Sequence, residues 1–320
     1  IPTKNKKILS FETKNFIDTY KSIHHLATSK YIFVDNYVGI LSTVQFRKDV
    51  KCVQLWHAAG AIKRFGWSDP TTIDRSEQAK TRFQQVYDRF HFIPVGSKQM
   101  AQIFTESFHL DQNRFLYTGV PQTDFYFDSI AKTKSLFRVG ETYPSIQGKK
   151  IVLYAPTFRK DELEKMNFKF DIDQFLERLD EKYVLLIRLH PSVKDVTHIK
   201  RHPRVLVVND YPHVNELMIA SDILVTDYSS IPFEFSLLRK KMIFFTYDLA
   251  SYDKEQGLWD ETSLSFPGPI VKTTSEVIDH ILDPTIDFHK IDSFKNHWNT
   301  FSTGHATKTL ISMIYDDNDL

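Results

Sequence analysis

The stretch that most constrains the fold is residues 221–247, in which strand-like and helix-like patterns follow one another. Ile223–Thr226 is a short apolar, partly β-branched run, which is typical of a strand buried on both faces. Ile231–Leu238 has helical spacing, with Pro232 in the first turn, where proline is tolerated. Met242–Thr246 is a second apolar run. The pattern predicts a strand, a turn, a helix and a second strand.

The turn of this unit is Asp227-Tyr228-Ser229-Ser230, a cluster of polar, turn-forming residues. Hydroxyl groups and backbone N–H groups at a helix N-terminus bind phosphate well. We therefore predict that Asp227, Ser229 and Ser230 form one end of a phosphate pocket, and that Glu234 accepts a hydrogen bond from a ribose or glycerol hydroxyl. The alternative is an ordinary capped turn with a solvated Glu234, because Ser and Asp are common helix caps.

The composition indicates a globular protein. Its nearly balanced charge gives no indication of nucleic-acid binding. Its 320 residues suffice for two domains, and 41 basic against 40 acidic residues leave a net charge of +1. Cys52 is the only cysteine, which excludes an intrachain disulfide and a cysteine-based zinc site and fits a reducing compartment. No apolar run approaches the roughly 20 residues that span a bilayer, and no signal peptide is visible. Because the sequence begins at Ile1 and not at Met, we expect further residues upstream.

The rest of the chain continues the alternation of strands and helices, which predicts parallel sheets covered by helices on both faces. The pattern loosens over residues 128–149, where Gly140, Pro144 and Gly148 occur. We place a domain boundary there. The prediction is an α/β protein of two Rossmann-like, doubly wound domains that face each other across a cleft. Residues 1–140 form the first domain, 141–293 form the second, and a helix within 294–320 packs back onto the first. The predicted strands are Lys7–Ser10, Tyr31–Val34, Val50–Leu55, His91–Val95, Arg114–Tyr117, Lys150–Tyr154, Tyr183–Leu189, Arg204–Val208, Ile223–Thr226 and Met242–Thr246.

Polar clusters follow several of these strands, and ligands of such sheets bind beyond the carboxyl ends of strands. In the first half, Trp56-His57 precedes small residues and then Lys63-Arg64. His57 is a candidate general base because the unperturbed pKa of histidine lies near physiological pH, and Lys63 and Arg64 are candidates to hold an anion. Equally, His57 could satisfy a buried loop carbonyl.

Two further clusters lie in the second half. Arg188 and His190 share a strand face and suit a diphosphate, which an arginine can bind bidentately. Thr157 and Arg159 follow Ala155-Pro156 and could reach the same anion. The alternative for Arg188 is an incidental charge at the end of a surface strand.

The chain lacks the usual motifs of dinucleotide oxidoreductases, P-loop NTPases, zinc proteases and serine hydrolases. We see no cluster of metal ligands and predict no cofactor, although Mg²⁺ could arrive with a diphosphate. Diphosphate-binding groups in one domain and a candidate base in the other suit transfer from a nucleotide-diphosphate donor to a hydroxyl group.

Four ordered motifs resemble the CDP-glycerol glycerophosphotransferase family of wall teichoic acid synthesis, and the resemblance extends roughly from Tyr31 to Trp259. The motifs are Val53-Gln54-Leu55-Trp56-His57, Tyr154-Ala155-Pro156-Thr157-Phe158-Arg159, Leu189-His190-Pro191 and Thr226-Asp227-Tyr228-Ser229-Ser230 with Phe233-Glu234.

The resemblance implies a GT-B fold and transfer of glycerol phosphate from CDP-glycerol to a lipid-linked acceptor, with release of CMP. It implies that His57 is the general base, that Arg188 and His190 bind or activate the donor diphosphate, and that Glu234 contacts the ribose or the glycerol. Thr157, Ser229 and Ser230 would hold phosphate. It also places the protein peripherally on the cytoplasmic face of a Gram-positive membrane.

One departure from the family pattern separates two branches. Polymerases of the family tend to read Trp-His-Gly-Thr, whereas this chain reads Trp56-His57-Ala58-Ala59-Gly60. This resembles the primase branch, which adds the first glycerol phosphate to an undecaprenyl-diphosphate-linked disaccharide. The alternatives are a poly(glycerol phosphate) polymerase, a UDP-sugar enzyme of the same fold and a non-catalytic membrane scaffold. The aromatic stretches Phe65-Gly66-Trp67 and Thr81–Phe92 are candidate membrane contacts or, equally, core.

Overall fold

In the described residues, the first half of the molecule contains four parallel strands. The structure, a computed structural model, describes residues 16–157, 159, 168–190, 193, 196, 197, 199–259 and 266–315. The strand predicted at Lys7–Ser10 and the motif residues Phe158 and Pro191 lie outside the described residues. A parallel bridge between Val53 and Phe92 joins two strand pairs, so that the order is β1-β2-β3-β4. These strands are β1 (Tyr31–Val34), β2 (Lys51–Gln54), β3 (Ile93–Pro94) and β4 (Phe115–Leu116).

In the described part of the second half, the strands form a six-stranded parallel sheet whose order is β10-β9-β8-β5-β6-β7. This is the strand order of a Rossmann-type sheet, in which the order reverses between β5 and β8. Ala155, the last residue of β5, pairs with Thr226, the last residue of β8. The polar residues after both strands therefore meet at the switch point of the sheet. The strands are β5 (Lys150–Ala155), β6 (Tyr183–Ile187), β7 (Val205–Val207), β8 (Ile223–Thr226), β9 (Lys241–Phe245) and β10 (Ile270–Val271).

Helices alternate with the strands, as the sequence predicts for an α/β fold. In the described residues they are α1 (Phe16–Thr28), α2 (Glu77–Tyr87), α3 (Lys98–Phe108), α4 (Ser129–Thr142), α5 (Ile172–Arg178), α6 (Val214–Ala220), α7 (Ile231–Phe235), α8 (Leu249–Gln256), α9 (Thr274–Leu282), α10 (Phe288–Trp298) and α11 (Ala306–Ile314).

The looser sequence pattern over residues 128–149 does not correspond to irregular structure, because helix α4 occupies most of this stretch. A glycine inside a helix costs only about 1 kcal/mol, and the side chain of Asp128 caps α4 by accepting hydrogen bonds from two backbone N–H groups. Val139 of α4 packs with the core of the second half. The position predicted for the domain boundary, between residues 140 and 141, thus falls inside a helix whose packing favours the second half.

The end of the chain returns to the first half, but as two helices. Phe294 and Trp298 of α10 are buried in the core of the first half, and Leu310 and Ile314 of α11 pack with Val53 of β2. Gly304 separates the helices with a φ of +89°, a backbone conformation that favours glycine. The prediction of one continuous helix in this stretch is wrong because of this break.

The aromatic residues suggested as membrane contacts belong mainly to the core. Phe83 and Tyr87 of α2 are buried, and Phe65 and Trp67 pack against the same cluster. Among the described helices none has both the length and the apolar composition to cross a bilayer.

Candidate active site

Both halves contribute residues to one cavity of about 690 Å³. It lies beyond the carboxyl ends of β2, β5, β6 and β8, where ligands of open α/β sheets bind. Eight of the eleven predicted site residues line it, namely His57, Lys63, Arg64, Thr157, Arg188, His190, Ser229 and Ser230, whereas Arg159, Asp227 and Glu234 do not.

The charge of the cavity wall is of one sign. Lys63, Arg64 and Arg188 line it, and the described lining residues include no carboxylate. A cleft lined by cations between low-dielectric walls concentrates anions. The wall therefore suits a ligand that carries phosphate groups.

A strained turn after β2 presents His57 to the cavity. Trp56 has a φ of +59°, which is unusual for a bulky side chain, and its ring packs against that of His57 with 4.4 Å between centroids. Nδ1 of His57 lies 3.2 Å from the backbone oxygen of Asp35. Because a carbonyl oxygen only accepts, this bond requires a proton on Nδ1 and leaves Nε2 as the basic nitrogen. The carbonyl contact and the general-base assignment are thus compatible.

Lys63 and Arg64 sit where the two halves touch. Lys63 forms an antiparallel bridge with Leu258, and the backbone N–H of Arg64 donates to the oxygen of Gly257 at 2.8 Å. Nε of Arg64 donates to the oxygen of Leu258, and its guanidinium lies over the ring of Trp259. One of the two cations is therefore partly engaged in joining the halves.

Arg188 lines the cavity and also binds a backbone loop. Its Nη1 donates to the carbonyl oxygens of Val208, Asn209 and Tyr211, which follow β7. This nitrogen is committed to the loop, so the bidentate contact with a diphosphate predicted from the sequence would have to use Nε and Nη2 of Arg188. The role that the geometry gives Arg188 is to fix the loop between β7 and α6.

His190 faces the first half across the cavity. Its partial burial and the positive charge of Lys63 lower the pKa of His190. The imidazole is therefore uncharged at physiological pH and offers one N–H donor.

The switch point supplies the hydroxyl groups. Thr157 follows β5, and its Oγ1 is buried without a hydrogen-bond partner in the described structure. Ser229 accepts a hydrogen bond from the backbone N–H of Ile231, and Ser230 is exposed at the first turn of α7. A buried hydroxyl without a partner is costly, so Thr157 has an unmet donor and acceptor capacity beside the cavity.

Arg159 and Asp227, predicted to bind substrate, bind each other instead. Arg159 is 8% exposed and donates to Asp227 at 2.9 Å and to Asp248 at 2.8 Å. Burial alone would lower the pKa of Arg159. The hydrogen bond to Asp248 and the charge of Asp227 outweigh this effect and raise the pKa above its usual value, so the guanidinium stays charged. Asp227 also accepts from the backbone N–H of Thr157 at 2.7 Å. The pair holds the two strand ends together behind the cavity wall.

Glu234 likewise lies behind the wall. Its carboxylate accepts a hydrogen bond from the side-chain amide of Gln122. Burial raises the pKa of Glu234 to about 7, although the hydrogen bond from Gln122 opposes the shift. The ribose or glycerol contact predicted from the sequence does not fit a side chain in this position.

Sequence reasoning missed two glutamines that hold the site. Gln54, fully buried at the end of β2, accepts from the backbone N–H of Trp56 at 2.9 Å and donates to the oxygen of Asn36 at 3.0 Å. Gln122 follows β4 and contacts Glu234. A polar residue between the apolar residues Val53 and Leu55 was a usable signal for Gln54, and the position after a strand was one for Gln122.

Comparisons with known proteins find relatives over nearly the whole chain. A model of the family described as CDP-glycerol:poly(glycerophosphate) glycerophosphotransferase matches residues 3–316. The teichoic acid glycerol-phosphate primase of Bacillus subtilis (strain 168) is 38% identical over 304 residues, which cover 95% of this chain and 78% of the primase.

Solved structures show the same fold. The wall teichoic acid polymerase TagF superposes with a TM-score of 0.77 at 23% identity, over 89% of this chain and 72% of TagF. The UDP-GlcNAc 2-epimerase of Neisseria meningitidis superposes with a TM-score of 0.58 at 14% identity, over 93% of this chain and 79% of the epimerase. These likenesses confirm the GT-B-like prediction.

The family assignment rests on two independent matches, one to the family model over nearly the whole chain and one to a relative above 30% identity. They confirm the prediction of an enzyme that uses CDP-glycerol, which this family does in transferring glycerol phosphate. The chain belongs to the CDP-glycerol:poly(glycerophosphate) glycerophosphotransferase family.

Proposed function

We propose that the protein is a primase that moves glycerol phosphate from CDP-glycerol to a lipid-linked acceptor, an undecaprenyl-diphosphate disaccharide. The observation that carries this proposal is the single cavity in which His57 faces the cation-lined switch point. The Trp56-His57-Ala58-Ala59-Gly60 sequence and the 38% identity to a glycerol-phosphate primase favour this branch over a polymerase.

In the proposed reaction the acceptor hydroxyl lies at Nε2 of His57. Its oxygen forms a bond to the glycerol-bearing phosphorus while the bond from that phosphorus to the bridging oxygen breaks. CMP leaves with the bridging oxygen, and the hydroxyl proton moves to Nε2. Thr157, Ser229 and Ser230 hold the donor phosphates, and Lys63 with the N–H of His190 offsets their charge. Positioning and charge stabilisation supply most of the catalysis in such transfers.

The acceptor-side test removes the base. His57→Ala should lower CMP release from CDP-glycerol and a lipid-linked disaccharide analogue by about 10²- to 10⁴-fold, the usual contribution of a general base. His109→Ala is a matched control, because His109 is exposed in the first half and lies outside the cavity. If His57→Ala and the wild type turn over equally, the assignment fails. A ladder of products would identify a polymerase.

The donor-side test compares nucleotides. A ligand that binds only the native state raises the midpoint of thermal unfolding. CDP-glycerol should raise it more than CDP-ribitol or UDP-GlcNAc does. The largest shift with UDP-GlcNAc would favour a UDP-sugar enzyme. Full complementation of a primase-deficient strain by a His57→Ala, His190→Ala double variant would favour a scaffold.

We also propose that any divalent ion in the reaction is carried by the donor diphosphate. The described residues contain no group of three or more His, Cys, Asp or Glu arranged to hold a metal ion. Adding EDTA and then titrating Mg²⁺ should change the KM for CDP-glycerol without changing the thermal midpoint of the protein alone. A lower thermal midpoint of the protein alone in EDTA would reveal a structural metal.

Finally, we propose peripheral contact with the membrane through α1. Phe16, Ile17 and Tyr20 of this helix are exposed, Phe16 by 89%, and such a face can lie in a lipid interface. Phe16→Ser with Tyr20→Ser should reduce co-sedimentation with anionic liposomes, whereas Ile73→Ser, at another exposed apolar residue, should not. Equal sedimentation of both variants would contradict this surface.

A further inference from the structure

Two cations that the first half contributes to the cavity, Lys63 and Arg64, each lie over an aromatic ring of the second half. The Nζ atom of Lys63 is 5.4 Å from the centroid of the Tyr252 ring. The guanidinium carbon of Arg64 is 5.6 Å from the ring centroid of Trp259. A cation within about 6 Å of an aromatic centroid is attracted by the negative face of the ring. Helix α8 and the residues that follow it therefore contact both cations.

Backbone contacts fix the main chain of Lys63 independently of the Tyr252 ring. Lys63 forms an antiparallel bridge with Leu258. On one side of this bridge, the backbone N–H of Trp259 donates to the oxygen of Ile62 at 3.0 Å. Neither contact uses the side chain of Tyr252. A substitution of Tyr252 should therefore leave the main chain of Lys63 in place and change only the surroundings of its ammonium group.

The ring of Tyr252 is itself packed firmly in place. It is 3% exposed and stacks on the ring of Tyr228, with 4.1 Å between the centroids and 15° between the planes. The guanidinium carbon of Arg159 lies 4.5 Å from the Tyr252 centroid. Two carboxylates compensate the charge of Arg159, so this ring can contact Arg159 and Lys63 without bringing two uncompensated cations together. The ammonium of Lys63 thus lies on a rigid support.

The location of Tyr252 separates this role from a contact with substrate. Lys63 and Tyr228 line the cavity, whereas Tyr252 does not. A lysine carries its charge on a flexible stem of four carbons, so the main chain alone does not set where the ammonium lies. A ring that contacts the ammonium restricts it, which reduces the entropy lost when the charge meets a phosphate.

We propose that Tyr252 is a positioning residue that holds the ammonium of Lys63 against the phosphates of the donor through the face of its ring. The inference rests on the proposed function, in which Lys63 offsets the charge of those phosphates. Loss of a cation–π contact corresponds to about 3- to 30-fold in an equilibrium or rate ratio. The effect of removing the ring should therefore depend on the presence of Lys63.

The kinetic test is a double-mutant cycle on kcat/KM for CDP-glycerol. Tyr252→Leu should lower this ratio by about 3- to 30-fold, whereas Tyr252→Phe, which keeps an aromatic face, should stay within about twofold of the wild type. In a Lys63→Met background, Tyr252→Leu should change the ratio by less than about twofold, because the ammonium is already absent. An equal fold loss in both backgrounds would overturn the proposal, and so would a Tyr252→Phe variant as slow as Tyr252→Leu.

Tyr183 provides a matched control. It is a buried tyrosine of β6 in the second half, it does not line the cavity, and the Nζ atom of Lys182 lies 5.2 Å from its ring centroid. Tyr183→Leu should lower the thermal midpoint without lowering kcat/KM at a temperature where the variant is folded. An equal kinetic loss in Tyr183→Leu and Tyr252→Leu would mean that any buried tyrosine matters, which overturns a specific role for Tyr252.

A second measurement needs no turnover and no Tyr252 variant. Reductive ¹³C-methylation of lysines keeps their positive charge, and the ring current of an aromatic side chain shifts the NMR signals of groups over its face upfield. The methyl signal of Lys63, assigned through a Lys63→Arg variant, should therefore lie upfield of the common lysine position in urea-unfolded protein. An unshifted signal in the folded wild type would overturn the inference even if Tyr252→Leu failed to fold. Wild-type protein that releases no CMP would instead overturn the proposed function, so the two failures are distinguishable.

Discussion

Trp56 adopts a φ of +59°, and this one residue aims His57 into the cavity. A bulky side chain in that conformation costs of order 1–3 kcal/mol and persists only where the surroundings impose it. Gln54 imposes it here, because its amide binds the backbone N–H of Trp56 and the oxygen of Asn36. Backbone strain beside a predicted catalytic base is typical of functional sites.

Replacing Gln54 by Leu should release this turn. The partly buried N–H of Trp56 would lose its partner, which costs about 1–3 kcal/mol of unfolding free energy, and CMP release should fall because His57 is no longer held. Gln84→Leu is the control, since Gln84 accepts from Nε1 of Trp67 in the same half but does not touch the turn. Equal CMP release per folded molecule in both variants would exclude a role for Gln54 in aiming His57.

The pair of Arg159 and Asp227 leads to a prediction about stability. Removing one partner of a buried ion pair leaves an uncompensated charge, so Arg159→Leu should lower the free energy of unfolding by about 3–5 kcal/mol. Arg239→Leu breaks an exposed pair with Asp292 and should cost at most about 1 kcal/mol. Urea unfolding of both variants measures the difference, and similar midpoints would contradict the structural assignment of Arg159.

Glu234 should make stability depend on pH. Its pKa is raised from 4.5 to about 7 in the folded protein, mainly by burial, so the folded state binds this proton more tightly than the unfolded state does. The contribution is favourable at low pH and is lost as pH rises from about 4.5 to about 7. Relative to Glu234→Gln, the wild type should lose of order 1–3 kcal/mol across that window. Parallel urea-unfolding curves against pH would contradict the shift.

At the scale of elements, the sequence predicted strands better than helix ends. β1 and β8 have the predicted bounds, because short apolar runs mark buried strands directly. The helix predicted over Ile231–Leu238 is α7 followed by a 3₁₀ turn, and α8 was not predicted. Helix ends depend on caps and tertiary contacts, such as Ser76 at the start of α2, which a periodic pattern does not contain.

The contact between α7 and the His57 loop leaves no room for a side chain at Gly60. A Cβ there would lie 2.4 Å from the ring of Phe233, so Gly60→Ala should separate the loop from α7 and lower both stability and CMP release. Phe233→Leu should relieve the clash, and the double variant should be more stable than the sum of the two single effects predicts. Additive changes in unfolding free energy would show that the two residues do not press on each other.

At the scale of the whole molecule, the chain crosses between the halves more than once. The core cluster of the first half includes Tyr228, Phe233 and Leu258 from the second half, together with Trp298 from the returning tail. The cavity therefore lies between two bodies that share buried side chains. Residues far apart in the sequence, such as His57 and Ser229, meet because of this shared packing.

Helix α11 should contribute to the stability of the first half. Ile314 of α11 is buried with Val53, and Ile314→Ala should cost about 2–5 kcal/mol of unfolding free energy. Met313→Ala, at a neighbouring residue that is 57% exposed, should cost less than about 0.5 kcal/mol. Equal denaturation midpoints would mean that α11 is not part of the folded first half.

The sequence by itself determined the alternation of strands and helices, the polar clusters after strand ends and the family, because each depends on residues that are neighbours in the sequence. Tertiary structure alone decided which of the predicted polar side chains line the cavity. Thr157 and Ser229 do, whereas Arg159, Asp227 and Glu234 bind other protein groups behind the wall. A charged residue has the same letter whether its partner is a phosphate or a buried side chain, and only packing, which sets the cost of leaving that charge unpaired, separates the two.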